Sequence, residues 1–314
     1  MKLSTLIAYR TLIDQLSPQD TDLMIRSHVG PLLHAISEHE IQFPELVQQL
    51  ENDHQEIHAS YSRLISTTRS MKKQLQDLID DLEADCFRES ERFYNLEIQT
   101  DSAEYILNRK ASITESAYEY VCSRLKLYSD WHHPAMLFRP GLEPLINHLV
   151  GSDPLYLVDH DMALLAPGLA RFPPEYQGRL RTYVITEQHD QPILSDLPDQ
   201  QFGLVVAYYY FNFKTLDLIG KYLAEIYTKL RPGGIVAMTF NNCDHAAGVE
   251  LAERHFMCYT PGSLILNIAK NIGFQLVHQY SLDLAMTWIE LQRPGQMTSL
   301  RGGQSLARIV AKSK

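Results

Sequence analysis

The chain has few of the features that mark a metal site, a disulfide scaffold, a membrane span or a nucleic-acid surface. Its four cysteines stand far apart and form no Cys-x-x-Cys pair, which argues against a compact zinc site and a disulfide framework. A net charge of −10 argues against a broad nucleic-acid-binding surface. No apolar run is as long as a membrane span, and the first residues do not resemble a secretory signal. These absences predict a soluble, cytoplasmic protein without a metal site.

Proline is absent between Pro44 and Pro134, and residues 1–130 contain no strand-like pattern. From Leu46 to Leu82, apolar residues recur at alternating four- and three-residue steps, the spacing of the a and d positions of a coiled coil. This spacing predicts one long helix with a buried seam. The seam packs either on a partner chain or on other helices of the same chain, and both alternatives stay open.

Two further helices are predicted, over residues 20–37 and 114–128. Thr114 is the expected N-cap of the second helix, which buries Ala117, Val121 and Leu125. Residues 1–130 are therefore predicted to form an all-α, coiled-coil-containing association domain. Through its helices the chain would associate with itself or with another protein.

After Trp131, short apolar runs alternate with helix-length segments, which predicts a doubly wound, mainly parallel α/β sheet over residues 131–314. The predicted strands and helices follow one another in a single series: strand Ala135–Phe138, helix Leu142–Leu149, strand Pro154–Val158, helix Met162–Ala170, strand Leu180–Ile185, helix Pro261–Asn271, strand Phe274–Tyr280 and strand Thr287–Leu291.

One further unit lies between these elements. The apolar run Phe202–Phe211 is followed by a helix-length segment, the turn residues Arg231-Pro-Gly-Gly and a second apolar run ending at Thr239. Such a strand–helix–strand crossover makes neighbouring strands parallel. Ligands bind beyond the carboxyl ends of such strands.

The pattern Phe202-Gly-Leu-Val-Val with Leu230-Arg-Pro-Gly-Gly-Ile-Val resembles the fourth and fifth strands of class I, Rossmann-like S-adenosylmethionine-dependent methyltransferases. The resemblance implies a last strand inserted antiparallel and S-adenosylmethionine as cofactor. It also implies direct displacement of the cofactor methyl group by an oxygen or nitrogen atom of an acceptor that the sequence does not identify.

The glycine-rich loop that this resemblance implies after the first strand is degenerate. The matching segment is Phe138-Arg-Pro-Gly-Leu-Glu143, in which only Gly141 of the expected glycines is present. Gly141 would lie against the methionine part of the cofactor, and Glu143 would supply the missing carboxylate. Arg139 and Pro140 make cofactor binding doubtful, because a side chain crowds the loop and proline has no N–H to donate.

The resemblance assigns the other cofactor contacts to later strand ends. Asp159, after the second strand, would hold both ribose hydroxyls, while Asp161 caps the following helix. Glu187 or Asp196 would accept a hydrogen bond from the adenine amino group. Ala207, at the end of the fourth strand, would line the position of methyl transfer.

The predicted substrate residues are Tyr208, Tyr210 and Asn241, which follow the fourth and fifth strands. His245 is the candidate general base, because imidazole titrates near neutral pH. Nothing near Cys243 specifies an activated thiolate. The Asn/Asp-Pro-Pro-Tyr/Phe signature of amine-methylating relatives is absent, which argues against adenine-N6 or glutamine methylation.

Two functions from different classes remain open. The first is S-adenosylmethionine-dependent methyl transfer, favoured by Asp159. The alternative is a catalytically inactive methyltransferase-like subunit with a structural or assembly role in a larger complex, for example a viral particle. Arg139 and Pro140 favour this alternative, under which the protein is a component of an assembled particle.

Overall fold

The structure is a computed structural model that describes residues 44–100, 114–141, 144–187 and 191–296. The predicted helix over residues 20–37 and the candidate site residue Glu143 lie outside these ranges. The chain divides into two compact units between Glu83 and Ala84.

A single helix of 57 residues, α1, runs from Pro44 to Thr100. No glycine or second proline interrupts it, and Pro44 stands in the first turn, where a missing N–H breaks no intrahelical hydrogen bond. The prediction of one long helix over Leu46–Leu82 is confirmed, and the helix continues beyond the predicted end. The division between the two units falls inside this helix.

The apolar side chains of α1 differ in exposure. Ile79 is 1% exposed, whereas Leu64, Met71 and Leu78 are 61%, 55% and 47% exposed. The chain by itself therefore leaves part of the predicted coiled-coil seam in contact with solvent. Self-association through the seam remains a prediction.

Helix α2 (Glu115–Tyr128) begins as the sequence predicts. The hydroxyl of Thr114 accepts a hydrogen bond from the backbone N–H of Ala117, and Ala117, Val121 and Leu125 are buried. These side chains join the apolar core on one face of the sheet. The structure therefore places α2 in the same unit as the sheet, whereas the sequence set its boundary at residue 130.

A buried carboxylate fixes α2 to the sheet. The carboxylate of Glu290 accepts hydrogen bonds from Nε of Arg124 (2.9 Å), the hydroxyl of Tyr128 (2.6 Å) and Nε1 of Trp288 (2.9 Å). Although burial acts to raise the pKa of Glu290, these hydrogen bonds and the charge of Arg124 hold it below its usual range.

Seven strands form one sheet in the second unit, in the spatial order β3-β2-β1-β4-β5-β7-β6. The first five strands in this order are parallel, and β7 runs antiparallel to both of its neighbours. The predicted parallel neighbours and the antiparallel last strand are confirmed. The strands are β1 (Ala135–Phe138), β2 (Leu155–Asp159), β3 (Leu180–Val184), β4 (Phe202–Ala207), β5 (Leu230–Asn241), β6 (Gln275–Ser281) and β7 (Met286–Gln292).

Helices cover both faces of the sheet. Apolar side chains of α5 (Leu216–Lys229) and α7 (Gly262–Ile272) pack on one face, while those of α2 and α3 (Met162–Ala170) pack on the other. This is the doubly wound α/β arrangement that the sequence predicts. The remaining helices are α4 (Pro174–Gln177) and α6 (Ala246–Glu253), with short 3-10 turns at Pro144–His148 and Phe211–Phe213.

Two local predictions differ from the structure. The helix predicted over Leu142–Leu149 is, in its described part, a 3-10 turn that starts at Pro144. Pro232-Gly-Gly is not a turn but part of β5, where the pairing shifts from Phe202–Leu230 to Leu204–Ile235. Gly233 takes a φ of 84°, and a side chain at Gly234 would meet the Phe202 carbonyl. The two glycines therefore permit a β-bulge.

Among the described residues, no helix combines the length and the apolar character that a membrane span requires.

Candidate functional site

The candidate site lies where β1, β2, β3 and β4 end. Because these four strands are parallel, their carboxyl ends meet at one edge of the sheet. The end residues are Phe138, Asp159, Val184 and Ala207. Ala207 is buried at the position that the sequence assigns to the cofactor site.

The loop after β1 places a side chain where small residues are expected. Arg139 has a φ of 50°, a left-handed conformation that favours glycine, and its side chain is buried. Its backbone N–H donates to the carbonyl of Val158 at 2.8 Å, which holds the loop against β2. Pro140 is buried and packs closely on Gly168 of α3. A Cβ added at Gly168 would lie only 3.2 Å from the Pro140 ring. Gly141 follows with a φ of 43°.

Asp159 ends β2 and is fully buried. Its Oδ1 accepts a hydrogen bond from the backbone N–H of His160 at 2.7 Å and lies 3.5 Å from Nε of Arg139. Its Oδ2 has no hydrogen-bond partner among the described residues. Burial raises the pKa of Asp159, and the guanidinium of Arg139 opposes that rise. Asp161 caps α3 through the N–H of Ala163, as predicted.

Glu187 lies beyond β3 in a second, largely buried ion pair. Nζ of Lys214 is 3.0 Å from its Oε1, and the hydroxyl of Tyr222 donates to the same oxygen at 2.5 Å. Nε2 of His160 is 3.3 Å away. Although burial acts to raise the pKa of Glu187, hydrogen bonds from His160 and Tyr222 and the charges of Lys214 and His160 lower it to about 2. The acid is therefore ionised and paired.

Tyr210 connects the two ion pairs. The Arg139 guanidinium lies 5.8 Å and the Lys214 ammonium 5.1 Å from the centre of its ring. Its hydroxyl is 2.7 Å from that of Tyr222 and 3.0 Å from Nε2 of His160. Burial raises the pKa of Tyr210 well above its usual range, so the ring is neutral. Tyr210 thus lies in the core beneath the strand ends.

The structure brings Asp159, Glu187 and Tyr210 together and leaves other predicted site residues apart. Asp196 is exposed, and its carboxylate accepts a hydrogen bond only from Ser195 among the described residues. Tyr208 is buried in the core on the opposite face from Tyr210. Their predicted roles in holding cofactor or substrate remain predictions.

The residues after β5 form a separate cluster. The amide of Asn241 donates to the carbonyls of Gly248 (2.9 Å) and Cys258 (3.0 Å), which ties two loops together. Burial raises the pKa of Cys243 to about 12, so its thiol is protonated. His245 is exposed and precedes α6. Within the described ranges, no group of three His, Cys, Asp or Glu side chains is arranged to hold a metal ion.

Three residues that contact Glu187 or Tyr210 at the strand ends were not predicted from the sequence: His160, Lys214 and Tyr222. Lys214 directly follows the aromatic segment Tyr208–Phe213. A lysine beside aromatic residues at a strand end was the signal in the sequence that could have identified it as a site residue. In the structure its ammonium lies 5.0 Å from the ring of Phe87 in α1 and 5.1 Å from that of Tyr210. Arg139 was recognised only as an obstacle to the cofactor and not as the partner of Asp159.

No protein-family model and no curated protein matches the chain. Solved structures do match it, at low identity. The N-methyltransferase NodS from Bradyrhizobium japonicum is 12% identical with a TM-score of 0.43, and the match covers 57% of this chain and 98% of that protein. Geranyl diphosphate C-methyltransferase from Streptomyces coelicolor is 12% identical with a TM-score of 0.48, and the match covers 60% and 83% of the two chains.

A third similar structure is an S-adenosylmethionine-dependent methyltransferase from Mesorhizobium loti, 11% identical with a TM-score of 0.43, and its match covers 56% of this chain and 98% of that one. These similarities are too low to carry an argument about activity. The strand order, with β7 inserted antiparallel between β5 and β6, is the arrangement that the sequence resemblance implied. The α/β unit therefore has a class I methyltransferase-like fold.

Proposed function

We propose that the α/β unit is a methyltransferase-like subunit that has lost methyl transfer and serves a structural or assembly role. The observation that supports this proposal is the buried pair of Arg139 and Asp159 at the ends of β1 and β2. The acid assigned to the cofactor ribose faces an arginine of its own chain, and both side chains are excluded from solvent.

A ribose reaching Asp159 would have to displace the Arg139 side chain. The displaced guanidinium would lose its carboxylate partner and its contact with the Tyr210 ring. Because Arg139 is part of the same chain, it competes with any ligand without the entropy cost of association. The arrangement therefore favours the state in which Arg139, and not a ligand, contacts Asp159.

The acid assigned to adenine is occupied in the same way. Glu187 is ion-paired with Lys214, and its Oε1 also accepts the hydrogen bond from Tyr222. The side chains of Lys214 and Glu187 are buried and largely buried, respectively. Two acids of the predicted cofactor site, Asp159 and Glu187, are thus each paired with a cation of the chain itself.

The loop backbone also does not suit a ligand. Pro140 offers no N–H, and its ring packs on Gly168 of α3. With Asp159 and Glu187 paired and Pro140 packed on α3, the described residues at the strand ends do not fit S-adenosylmethionine in this arrangement. Retention of the fold without its chemistry is consistent with a subunit that contributes a surface.

Methyl transfer to an oxygen or nitrogen acceptor is the second candidate function. One observation favours it: Oδ2 of Asp159 is buried and has no hydrogen-bond partner among the described residues. Unsatisfied buried carboxylate oxygens are uncommon because they are costly, and a ribose hydroxyl would satisfy this one. This candidate requires Arg139 to rotate away before the cofactor enters.

Isothermal titration with S-adenosylmethionine and S-adenosylhomocysteine distinguishes the two functions. The parent protein is compared with Arg139→Gly and Asp159→Ala. Arg179→Ala is the matched control, because Arg179 pairs with Asp153 at the opposite ends of β2 and β3 (3.3 Å). We expect no binding heat from the parent or the control at millimolar ligand, and weak binding in Arg139→Gly if the arginine is the obstacle. Micromolar binding by the parent that Asp159→Ala abolishes and Arg179→Ala preserves would overturn the proposal.

A further inference from the structure

Charge is distributed unevenly along α1. Residues 57–76, the basic segment, carry four basic side chains and no acidic one: Arg63, Arg69, Lys72 and Lys73. Residues 77–85, the acidic segment, carry five acidic side chains and no basic one: Asp77, Asp80, Asp81, Glu83 and Asp85. All of these except the half-buried Glu83 are exposed. The helix therefore presents two adjacent blocks of opposite charge.

An apolar stripe crosses both blocks. Its members follow alternating four- and three-residue steps and are Leu64, Thr68, Met71, Leu75, Leu78 and Leu82. Leu64, Met71 and Leu78 share one heptad position and are exposed, while the other three are half-buried. A stripe of this spacing matches the core of a two-stranded coiled coil.

We propose that this stripe docks on the same stripe of a second copy of the chain, with the two helices antiparallel. In the antiparallel register centred near residue 73, Leu64 lies opposite Leu82 of the second copy. Thr68 then lies opposite Leu78, and Met71 opposite Leu75. Each exposed side chain meets a half-buried one, so the two copies fill the stripe with no unmatched position.

The charge blocks determine the orientation. In this register Arg63 and Arg69 lie level with Glu83 and Asp77 of the second copy at each end of the contact, while Lys72 and Lys73 of the two copies meet at its centre. A parallel pair would place basic against basic and acidic against acidic. Complementary charge fixes register and partner choice, whereas like charges in contact are unfavourable.

The length of the stripe sets the expected strength. From Leu64 to Leu82 it spans about 27 Å of helix. So short a contact supports a reversible dimer that dissociates on dilution, and the exposed charges make its affinity sensitive to salt. The inference deepens the proposed subunit role but is tested separately: a monomer would overturn the pairing and leave the ligand titration unaffected.

Sedimentation velocity over a concentration series tests the surface. The variant Leu64→Ser/Met71→Ser/Leu78→Ser removes the exposed side chains, and their exposure means that the helix should still form, as circular dichroism checks. The matched control Ser62→Ala/Ser66→Ala/Ser70→Ala changes three exposed positions of the same helix that are neither members of the stripe nor charged. We expect parent and control to dimerise and the triple serine variant to remain monomeric at a tenfold higher concentration. A monomeric parent, or a dimeric serine variant, would overturn the proposal.

Salt and cross-linking test the orientation. We expect the dissociation constant of the dimer to rise several-fold when the salt concentration increases tenfold, because screening weakens opposite charges. A parallel dimer would tighten instead, since its like charges repel. Mixed Met71→Cys and Leu75→Cys proteins should form a disulfide between the two different positions, with the parent as the control because its four cysteines are buried. Cross-links only between identical positions would overturn the antiparallel arrangement.

Discussion

Two buried arginine–carboxylate pairs in the same α/β unit differ in how well they are satisfied. Arg124 and Glu290 join α2 to β7, and Arg139 and Asp159 join the ends of β1 and β2. Both carboxylates are fully excluded from solvent. They differ in the number and geometry of the donors around them.

Glu290 accepts hydrogen bonds at both carboxylate oxygens, and Arg124 binds it through two nitrogens. Asp159 has one backbone donor, an arginine Nε at 3.5 Å and an Oδ2 without a hydrogen-bond partner among the described residues. The pKa of Glu290 is lowered, whereas that of Asp159 is raised by burial in spite of Arg139.

The difference distinguishes the Arg124–Glu290 pair, a structural contact, from the Arg139–Asp159 pair at the candidate site. A buried ion pair stabilises a fold only when hydrogen bonds satisfy the remaining lone pairs, as at Glu290. At the carboxyl edge of the sheet, where parallel sheets generally bind ligands, the surroundings of Asp159 leave its Oδ2 without a hydrogen-bond partner among the described residues. The pairing of Asp159 with Arg139 agrees with the proposed loss of methyl transfer, whereas the unsatisfied Oδ2 is the observation that favours the second candidate function.

The largest effect is expected from Glu290→Ala. Removing this carboxylate leaves Arg124 without its partner and frees the donors of Tyr128 and Trp288. We expect the free energy of unfolding to fall by about 3–5 kcal/mol. Urea denaturation followed by tryptophan fluorescence measures it. Glu290→Gln, which keeps an acceptor oxygen, should cost less. Equal losses in the two variants would mean that the stabilisation comes from the charge of Glu290 and not from its packing or from a neutral acceptor oxygen.

The second effect concerns Glu187, which is well paired although it lies at the candidate site. Its pKa of about 2 is below the ordinary value of 4.5, so it contributes stability that is present above pH 4.5 and lost as the pH falls towards 2. We expect Glu187→Gln to lower the free energy of unfolding by roughly 2–3 kcal/mol at pH 7. The gap between variant and parent should close between pH 5 and pH 2 in urea titrations. A gap independent of pH would show that the ion pair with Lys214 is not its cause.

The features that could be predicted from the sequence are those that depend on apolar pattern, on local contacts or on the family resemblance. Short apolar runs between helix-length segments located β1, β2 and β3 to within a residue or two. The cap at Thr114 was predictable because it is a local contact. The antiparallel β7 was predictable because the resemblance implies it. The bulge at Pro232 was missed, because Pro-Gly-Gly is equally compatible with a turn.

The partners within the candidate site were not predictable. Glu187 and Lys214 are 27 positions apart, and Arg124 and Glu290 are 166 positions apart. No periodicity connects residues at such distances, since only the fold brings them together. Arg139 was seen from the sequence as a departure from a glycine-rich loop, but its burial against Asp159 depends on the register of β1 with β2.

The smallest effect is expected from Arg139→Gly, and it tests the comparison most directly. Glycine adopts the φ of 50° without strain, whereas arginine there costs about 1–2 kcal/mol. The variant loses a long ion pair, and Asp159 can take up a proton because burial already raises its pKa. We therefore expect a net change within about 1 kcal/mol at pH 7, against about 3 kcal/mol for Arg124→Ala, which leaves Glu290 buried and unpaired.

The pH dependence has a definite sign. Without Arg139 the pKa of Asp159 should rise further, so Arg139→Gly should gain stability relative to the parent when the pH is lowered, in a comparison of pH 8 with pH 5. Urea denaturation of both arginine variants at these pH values measures the difference. If Arg139→Gly lost as much stability as Arg124→Ala at every pH, the arginine at the strand ends would be a structural contact like the one at α2. Arg139 would then contribute to stability as Arg124 does, and the comparison would no longer separate the pair at the strand ends from the pair at α2.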